Sequence, residues 1–210
     1  MTNKNMTSKP NIAIVDYGVG NLWSLRKALS QFADAVVTEE RDKIERADAI
    51  VLPGVGTFGA GMEGLQLRGL TDFVKERAAV VPLLGICLGA QILLERGHEF
   101  GEHQGLGLIK GEVSKFPQLP KGVTIPAIGW QEVKPQGGQP LFEGIQKPFF
   151  YFVHSYVLMP PQADVIATTV YGGYEYCAAM QQGRIIGVQF HPEKSGEAGL
   201  KLLENFVRSI

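Results

Sequence analysis

The hydrophobic positions in the first half of the chain form two alternating patterns. Short uninterrupted apolar runs occupy residues 12–15, 49–52 and 80–86, which is typical of strands covered on both faces. Between them, apolar residues recur at helical spacing over residues 22–32 and again over residues 65–74. This alternation predicts an α/β fold with a mainly parallel central sheet, right-handed crossovers and helices on both faces. Ligands of such sheets gather at the carboxyl ends of the strands.

The second half of the chain, from about Gly105, carries a different pattern. Short β-branched and aromatic runs alternate with turn residues, which predicts mixed or antiparallel strands added to the same sheet. A hairpin is indicated around Gly183, between residues 178–180 and residues 184–190. The other strands are expected over residues 123–125, 149–153, 165–169 and 174–178, and a last helix over residues 196–207.

Length and charge narrow the function classes. The chain has 210 residues and is 45% hydrophobic, so we expect one domain over residues 11–210 after a flexible segment over residues 1–10. A domain of this size buries roughly 70% of its unfolded surface and needs no disulfide or structural metal. The 20 basic and 21 acidic side chains give a net charge of −1, which disfavours nucleic acid and anionic membranes as partners. No apolar run reaches about 18 residues and the first ten residues lack a signal-peptide pattern, so a cytoplasmic protein is expected.

The strongest chemical signal is Cys87, which stands between Gly85 and Gly89 where an apolar strand gives way to a helical pattern. Small neighbours let the backbone turn sharply and let a substrate approach, as in the nucleophile elbow of serine hydrolases. The following helix would favour the thiolate through its unpaired N–H groups and its macrodipole, and the same N–H groups could hold an oxyanion. Most cytosolic cysteines are small buried hydrophobes, and Cys177, in mid-strand without an elbow, keeps that interpretation.

A cysteine that attacks an acyl group needs an imidazole beside it, and His191 is the best placed of the four histidines. Pro192 favours an extended conformation at His191. In an extended chain residues two apart project to the same side, so Glu193 can orient the imidazole. The alternative is a strand-end histidine bonded to a surface glutamate. His98 and His103 lie in a polar stretch without the Cys/His spacing of a zinc site, so no metal or other cofactor is expected.

Several motifs resemble those of the class I, or triad, glutamine amidotransferases. Gly-Ile-Cys-Leu-Gly-x-Gln over residues 85–91 and Gly-Val-Gln-Phe-His-Pro-Glu over residues 187–193 carry the resemblance, which covers nearly the whole chain. It implies a flavodoxin-like amidotransferase fold. Further motifs over residues 16–22, 52–59 and 151–156 are similar to one branch of that family, the glutaminase subunits that act in histidine biosynthesis.

The resemblance implies a reaction in which the cysteine forms a thioester. Cys87 attacks the side-chain amide of glutamine, and His191, oriented by Glu193, passes a proton to the departing ammonia. Water then hydrolyses the thioester to glutamate.

The resemblance also implies the groups that bind the substrate. The oxyanion is expected to be held by the N–H of Leu88 and by one from the loop over residues 53–56, with Val55 favoured and Gly56 beside it. The residues expected to grip glutamine are Gly54, Gln91, His154, Ser155 and Tyr156.

A protein partner is implied in the same way. The branch forms a heterodimer with a (β/α)8-barrel synthase subunit, which receives the ammonia through a channel. Lys194 resembles a residue that makes a salt bridge to that partner, with an ordinary surface lysine as the alternative. Trp130 is expected to be a core or interface aromatic residue without chemistry. The chain alone is expected to be slow, because the partner and its ligand reset the oxyanion loop.

One stretch departs from the family pattern. Where the family reads Ile-Pro-His-x-Gly-Trp-Asn, residues 125–131 read Ile-Pro-Ala-Ile-Gly-Trp-Gln, so Ala127 and Gln131 replace a histidine and an asparagine. Three alternatives stay open, and only the first of them follows from this departure. One is a paralogous subunit that feeds ammonia to a synthase-like partner in surface-sugar biosynthesis. The others are a catalytically silent scaffold subunit and the glutaminase half of anthranilate or guanylate synthesis.

Overall fold

The structure, a computed structural model, describes residues 9–210. The flexible segment predicted over residues 1–10 lies outside the described residues except for its last two. Lys9 Nζ donates to the Ser30 carbonyl oxygen at 3.2 Å, which attaches the chain to the fold from that point. Every helix within the described part of the chain falls short of the length and hydrophobicity that crossing a bilayer demands.

The described chain contains six α-helices and thirteen strands. The helices are α1 (Leu22–Leu29), α2 (Arg41–Glu45), α3 (Phe58–Leu67), α4 (Thr71–Ala78), α5 (Leu88–Gln91) and α6 (Gly196–Arg208). The strands are β1 (Asn11–Val15), β2 (Asp34–Thr38), β3 (Ala49–Leu52), β4 (Leu83–Ile86), β5 (Arg96–Gly97), β6 (His103–Gln104), β7 (Glu112–Lys115), β8 (Ala127–Pro135), β9 (Phe149–His154), β10 (Tyr156–Met159), β11 (Val165–Tyr171), β12 (Tyr174–Gln182) and β13 (Ile185–Val188). Short 3-10 turns cover Pro140–Phe142, Gln162–Asp164 and Pro192–Lys194.

The first half of the sheet is parallel, as predicted. Its strands run in the order β2, β1, β3, β4 and β13, and each neighbouring pair is parallel. The fifth strand, β13, comes from the far end of the chain, and its Val188 stands opposite Ile86 of β4. The residues that follow β4 and β13 therefore meet at the same edge of the sheet.

Helices cover both faces of this parallel region. Ile12 and Ile14 of β1 belong to a core shared with α1 and α6, whereas Ala13 and Val15 belong to a second core shared with the other four helices. Successive side chains of a strand point to opposite faces, so a strand with apolar residues at every position serves both cores. The fully apolar runs in the sequence have this physical cause.

The second half of the sheet is antiparallel for the most part, and the predicted hairpin is present. Strands β12 and β13 pair in antiparallel register across Gly183, and β10, β11, β8 and β9 add to the sheet in antiparallel pairs. The strand predicted over residues 123–125 is wrong: β8 begins at Ala127. Pro120 and Pro126 flank that short run, and a proline has no N–H to donate to a ladder.

Two further boundaries differ from the sequence pattern. The strand predicted over residues 80–86 begins only at Leu83, because the N–H groups of Val80 and Val81 donate to the Arg77 carbonyl and close α4. The helical pattern over residues 65–74 is divided between α3 and α4. Gly69, at a φ of +63°, makes the turn between them.

We expect Gly199→Ala to destabilise the protein, although an alanine in a helix interior usually stabilises it. A Cβ at position 199 would lie 1.9 Å from the backbone oxygen of Pro192, so α6 and the Pro192–Lys194 turn would be forced apart at a cost of about 2–3 kcal/mol. Urea unfolding measures the loss.

Gly107→Ala is the matched control, since nothing lies within 4 Å of its Cβ position and only its φ of +63° opposes the change. That variant should lose about 1 kcal/mol. A Gly199→Ala protein as stable as the parent would contradict the close packing of α6 on the turn.

Candidate active site

Cys87 occupies the sharp turn between β4 and α5. Its backbone has a φ of +53°, a left-handed conformation that is unusual for a residue with a side chain. The Cys87 N–H donates to the Val188 carbonyl at 2.8 Å, and its carbonyl accepts from the Gln91 N–H at 3.0 Å. Gly89 is needed beside it, because a Cβ there would lie 1.8 Å from the Leu52 carbonyl oxygen. The elbow expected from the flanking glycines is thus held by the neighbouring strands.

The helix predicted after Cys87 is shorter than expected. It is the four-residue turn α5, because the next backbone carbonyls accept from the loop that follows β6 rather than from a continuing helix. Leu106 N donates to the Ile92 carbonyl and Leu108 N to the Leu93 carbonyl, each at 2.8 Å. A macrodipole adds up over many peptide units, so one turn contributes little of it. What remains beside Cys87 is the local N–H of the first turn, at Leu88, which has no intrahelical partner.

His191 follows β13 and lies at the same edge of the sheet as Cys87. Its N–H donates to the Tyr151 carbonyl at 2.9 Å, and its carbonyl accepts from the Ser195 hydroxyl at 2.6 Å. The same hydroxyl accepts from the Tyr151 N–H at 3.0 Å. Ser195 therefore fixes the backbone of His191 against β9.

The imidazole of His191 is oriented by Glu193. Nδ1 lies 2.8 Å from Glu193 Oε1, and the two side chains are only 2% and 4% exposed. Burial by itself would lower the pKa of His191, but Cys87 and Glu193 outweigh burial and raise it to about 9. Nε2 is buried and has no hydrogen-bond partner of good geometry among residues 9–210, which leaves it available to Cys87 and to a substrate.

Cys87 opens into a cavity of about 290 Å³, close to the lower end of the range for small-molecule sites. The cavity brings together most of the residues predicted to bind substrate or oxyanion. Its lining consists of Val55, Gly56, Cys87, Gln91, Glu99, Pro126, Val153, His154, Ser155 and Tyr156.

Gly54 has a different place from the one predicted. It is not among the residues that line the cavity, and a Cβ there would lie 2.7 Å from Leu88 Cβ and 2.9 Å from the Tyr17 hydroxyl. Gly54 thus allows residues 53–56 to pack against α5. The buried Tyr17 hydroxyl donates to the Pro53 carbonyl and ties down the start of this loop.

The side chain of His154 supports the cavity wall. Its Nδ1 lies 2.8 Å from the Tyr156 carbonyl oxygen, which can only accept, so Nδ1 carries the proton. Burial lowers the pKa of His154 to about 4, and Nε2 of the neutral ring lies 3.0 Å from the Tyr176 hydroxyl. His154 therefore stays neutral at pH 7 and shapes the backbone around Tyr156.

Sequence reasoning missed two residues of the site. Glu99 lies in the polar stretch that contains His98 and His103, and this stretch folds back between β5 and β6. There Glu99 Oε2 accepts from Phe58 N at 2.8 Å, and the residue lines the cavity. Gln189, fully buried, places Nε2 3.8 Å from Cys87 Sγ. His191 itself is extended, so the side-chain alternation expected around it also pointed to Gln189, two residues earlier. Glu193, by contrast, reaches the imidazole from the Pro192–Lys194 3-10 turn and not from an extended chain.

The residues expected at a protein interface form an exposed cluster. Trp130 is 56% exposed and packs edge-on against Tyr151, and Lys194 Nζ lies 5.8 Å from the centre of the Tyr151 ring. Ala127 and Gln131, the two positions that depart from the family pattern, are buried on the opposite side of β8.

The other candidate groups take no part in this site. His98 lies 3.0 Å from Glu112 on β7, and His103 packs against the Phe58 ring. Cys177 is a free buried thiol, and burial raises its pKa to about 12. Over residues 9–210, no group of three or more His, Cys, Asp or Glu side chains is arranged to hold a metal ion.

Comparisons with known proteins address the family directly. Residues 13–210 match the family model described as "Glutamine amidotransferase class-I". The imidazole glycerol phosphate synthase subunit HisH of Symbiobacterium thermophilum is 46% identical over 203 residues, which cover 95% of this chain and 94% of that protein. Imidazole glycerol phosphate synthase subunit HisH 1 of Methanococcus maripaludis is 46% identical over 205 residues, which cover 95% of this chain and 100% of that protein.

Solved structures show the same fold. A glutamine amidotransferase crystal structure matches with a TM-score of 0.70 at 20% identity, covering 94% of this chain and 99% of that one. The structure of PurLQS from Thermotoga maritima matches with a TM-score of 0.66 at 21% identity, and the match covers 96% of this chain and 99% of that one. At such identities the likeness concerns the fold alone.

The raised pKa of His191 predicts a pH dependence of stability. A group whose pKa rises on folding contributes stability that is complete below its unfolded pKa, near 6.5, and is lost as the pH rises through about 9. The titration of His191 should therefore lower the free energy of unfolding as the pH rises across this window. In Glu193→Gln the decline should be smaller, because one of the groups that raise the pKa is gone.

Urea unfolding at pH 6.5 to 9 measures this difference, with the exposed Glu197→Gln as the control that keeps the parent's slope. Parallel pH profiles for the parent and Glu193→Gln would show that Glu193 does not stabilise the imidazolium.

Proposed function

The chain belongs to the class-I glutamine amidotransferase family, and on that basis we propose that it is the glutaminase subunit of an imidazole glycerol phosphate synthase, with Cys87, His191 and Glu193 as its catalytic triad. It hydrolyses glutamine to glutamate and supplies ammonia for histidine biosynthesis. The observation that carries the proposal is the identity of 42–46% to HisH subunits across at least 93% of the chain.

The triad geometry supports each chemical step. The Cys87 thiolate attacks the carboxamide carbon of glutamine and forms a tetrahedral oxyanion. With its pKa raised to about 9, His191 is protonated at neutral pH and gives that proton to the leaving nitrogen, so ammonia departs and a thioester remains. A water molecule, deprotonated by His191, then attacks the thioester, and glutamate and the thiolate are released. Glu193 keeps the imidazolium oriented throughout.

The oxyanion is held by backbone groups on two sides of Cys87. The Leu88 N–H begins α5 directly after the nucleophile, and residues 53–56 lie across the cavity with Val55 and Gly56 in its lining. Donors preorganised at the developing charge are worth several kcal/mol in acyl transfer. The N–H of Val55 is the second donor, and the partner subunit sets its direction by moving this loop.

The amino acid end of glutamine binds at the part of the cavity wall formed by Gln91, Glu99, Ser155 and Tyr156. Gln91 Nε2 donates to the Tyr156 carbonyl and to Gln189 Oε1, at 3.2 and 3.3 Å, which leaves Oε1 of Gln91 as the acceptor for the substrate's ammonium group. The Glu99 carboxylate adds the negative charge that this ammonium group requires. Backbone groups of Ser155 and Tyr156 take the carboxylate end.

The chain works as one subunit of a complex, and we assign a (β/α)8-barrel synthase as its partner. The exposed cluster of Trp130, Tyr151 and Lys194 faces that barrel, with Lys194 in a salt bridge at the ammonia exit. Ala127 and Gln131 do not lie on this face, so their departure from the family pattern leaves the docking surface unchanged. We therefore favour histidine biosynthesis over a paralogous role in surface-sugar synthesis.

Cys87→Ala should abolish the release of glutamate, a loss of at least about 10³-fold, because no other group replaces the nucleophile. The assay contains the barrel subunit and its nucleotide ligand. Cys177→Ala, which removes the other free thiol, is the control and should retain activity. Glutamate release by Cys87→Ala at the parent's rate would remove the nucleophile assignment.

Lys194→Glu should weaken binding to the barrel subunit by at least about tenfold, because it replaces an interface cation by an anion. Isothermal titration calorimetry with the purified barrel subunit measures the dissociation constant. Lys75→Glu on α4 is the control, and it should bind the barrel subunit as tightly as the parent does. Capture of a chorismate or nucleotide enzyme as the native partner, instead of a barrel synthase, would contradict the assignment of the complex.

A further inference from the structure

A buried amide that the triad does not use lies against the nucleophile. Gln189 is fully buried, with Nε2 3.8 Å from Cys87 Sγ and Oε1 3.3 Å from Gln91 Nε2. Its backbone N–H donates to the Ala178 carbonyl at 2.9 Å, which holds the residue in line with β12. Both ends of the side chain therefore contact groups of the site.

The orientation of this amide follows from a backbone carbonyl two contacts away. The Tyr156 carbonyl oxygen can only accept, so Gln91 must turn its NH2 group toward it. The second hydrogen of that NH2 group points to Gln189 and requires an acceptor there, which is Oε1. With its oxygen committed to Gln91, Gln189 presents its NH2 group to the sulfur. The reverse arrangement would bring two oxygens together at Tyr156.

His154 secures the start of this chain of contacts. Its Nδ1–H donates to the same Tyr156 carbonyl at 2.8 Å, and its ring packs against Phe116 and Phe152. The carbonyl is thus fixed by a buried donor independent of Gln91. His154 and Gln91 both donate to the Tyr156 carbonyl, Gln91 also donates to Gln189, and Gln189 in turn lies against Cys87. All four of these side chains are buried.

We propose that Gln189 donates a hydrogen bond to the Cys87 sulfur and stabilises the thiolate over the thiol. This inference rests on the proposed function, in which the thiolate is both the attacking group and the group released when the thioester is hydrolysed. A thiolate accepts a hydrogen bond far more strongly than a thiol, so the donor favours the charged form. Gln189 also keeps the sulfur directed at the substrate carbon while His191 exchanges its proton.

The test is the pH profile of Cys87 alkylation by iodoacetamide in the purified chain. Gln189→Met keeps the volume of the side chain and removes the donor. We expect the midpoint of the profile to move up by about one pH unit, which is about tenfold slower alkylation below the midpoint. Gln181→Met, on neighbouring β12, is the matched control and should keep the parent's midpoint. A Cys87→Ala protein corrects for alkylation elsewhere.

A second variant tests the orientation argument by itself. Gln91→Met leaves Gln189 in place but removes the group that fixes its amide, so the midpoint should move in the same direction by a smaller amount. If Gln189→Met fails to fold by circular dichroism, this variant decides the question. An unchanged midpoint in folded Gln189→Met, or in Gln91→Met where the first variant does not fold, overturns the proposal.

The alkylation profile needs neither glutamine nor the partner, so it separates this inference from the proposed function. If the complex of the unsubstituted chain with the barrel subunit releases no glutamate, the chain is not a glutaminase, and the alkylation result still stands. A parent complex that releases glutamate, together with an unshifted midpoint in the variants, would end only the role of Gln189.

Discussion

The parallel pairing of β4 with β13 is the constraint on which the rest of the site depends. It joins segments about a hundred residues apart and sets Val188 opposite Ile86, so the turn that carries Cys87 and the segment that carries His191 begin at the same edge. The Cys87 N–H bond to Val188 continues this ladder by one residue. The strained backbone of Cys87 is tolerable because this ladder holds it, and His191, which follows β13, is held in turn against β9 by Tyr151 and Ser195.

The two buried histidines show how partners decide the chemistry of a side chain. Burial opposes the charged form of both, but His191 faces Cys87 and Glu193, and its pKa rises to about 9. The imidazole of His154 contacts the Tyr156 carbonyl and the Tyr176 hydroxyl, which are both uncharged, and its pKa falls to about 4. One ring is an acid at neutral pH and the other a fixed donor. The composition of the chain does not reveal this difference in pKa, because contacts between distant strands cause it.

The sequence was informative where a pattern is local. The apolar runs at β1 and β3, the hairpin at Gly183 and the Cys87 elbow follow from periodicity and from small residues at a tight turn. The length of α5, the failed strand over residues 123–125 and the place of Glu99 do not, because each is decided by groups brought in from elsewhere in the chain. Long-range hydrogen bonds ended α5, and the pairing of β5 with β6 turned a polar stretch into a cavity wall.

The alternation of β8 bears on how sequences of related subunits are compared. Its residues at 128 and 130 face solvent, whereas those at 127 and 131 face the core beside His154 and Tyr176. Alanine in place of histidine at position 127, or glutamine in place of asparagine at position 131, therefore changes the packing beneath the pocket and leaves the exposed face of β8 unchanged. Covariation between interacting subunits should therefore be sought at positions 128 and 130, whereas substitutions at positions 127 and 131 change contacts inside the subunit.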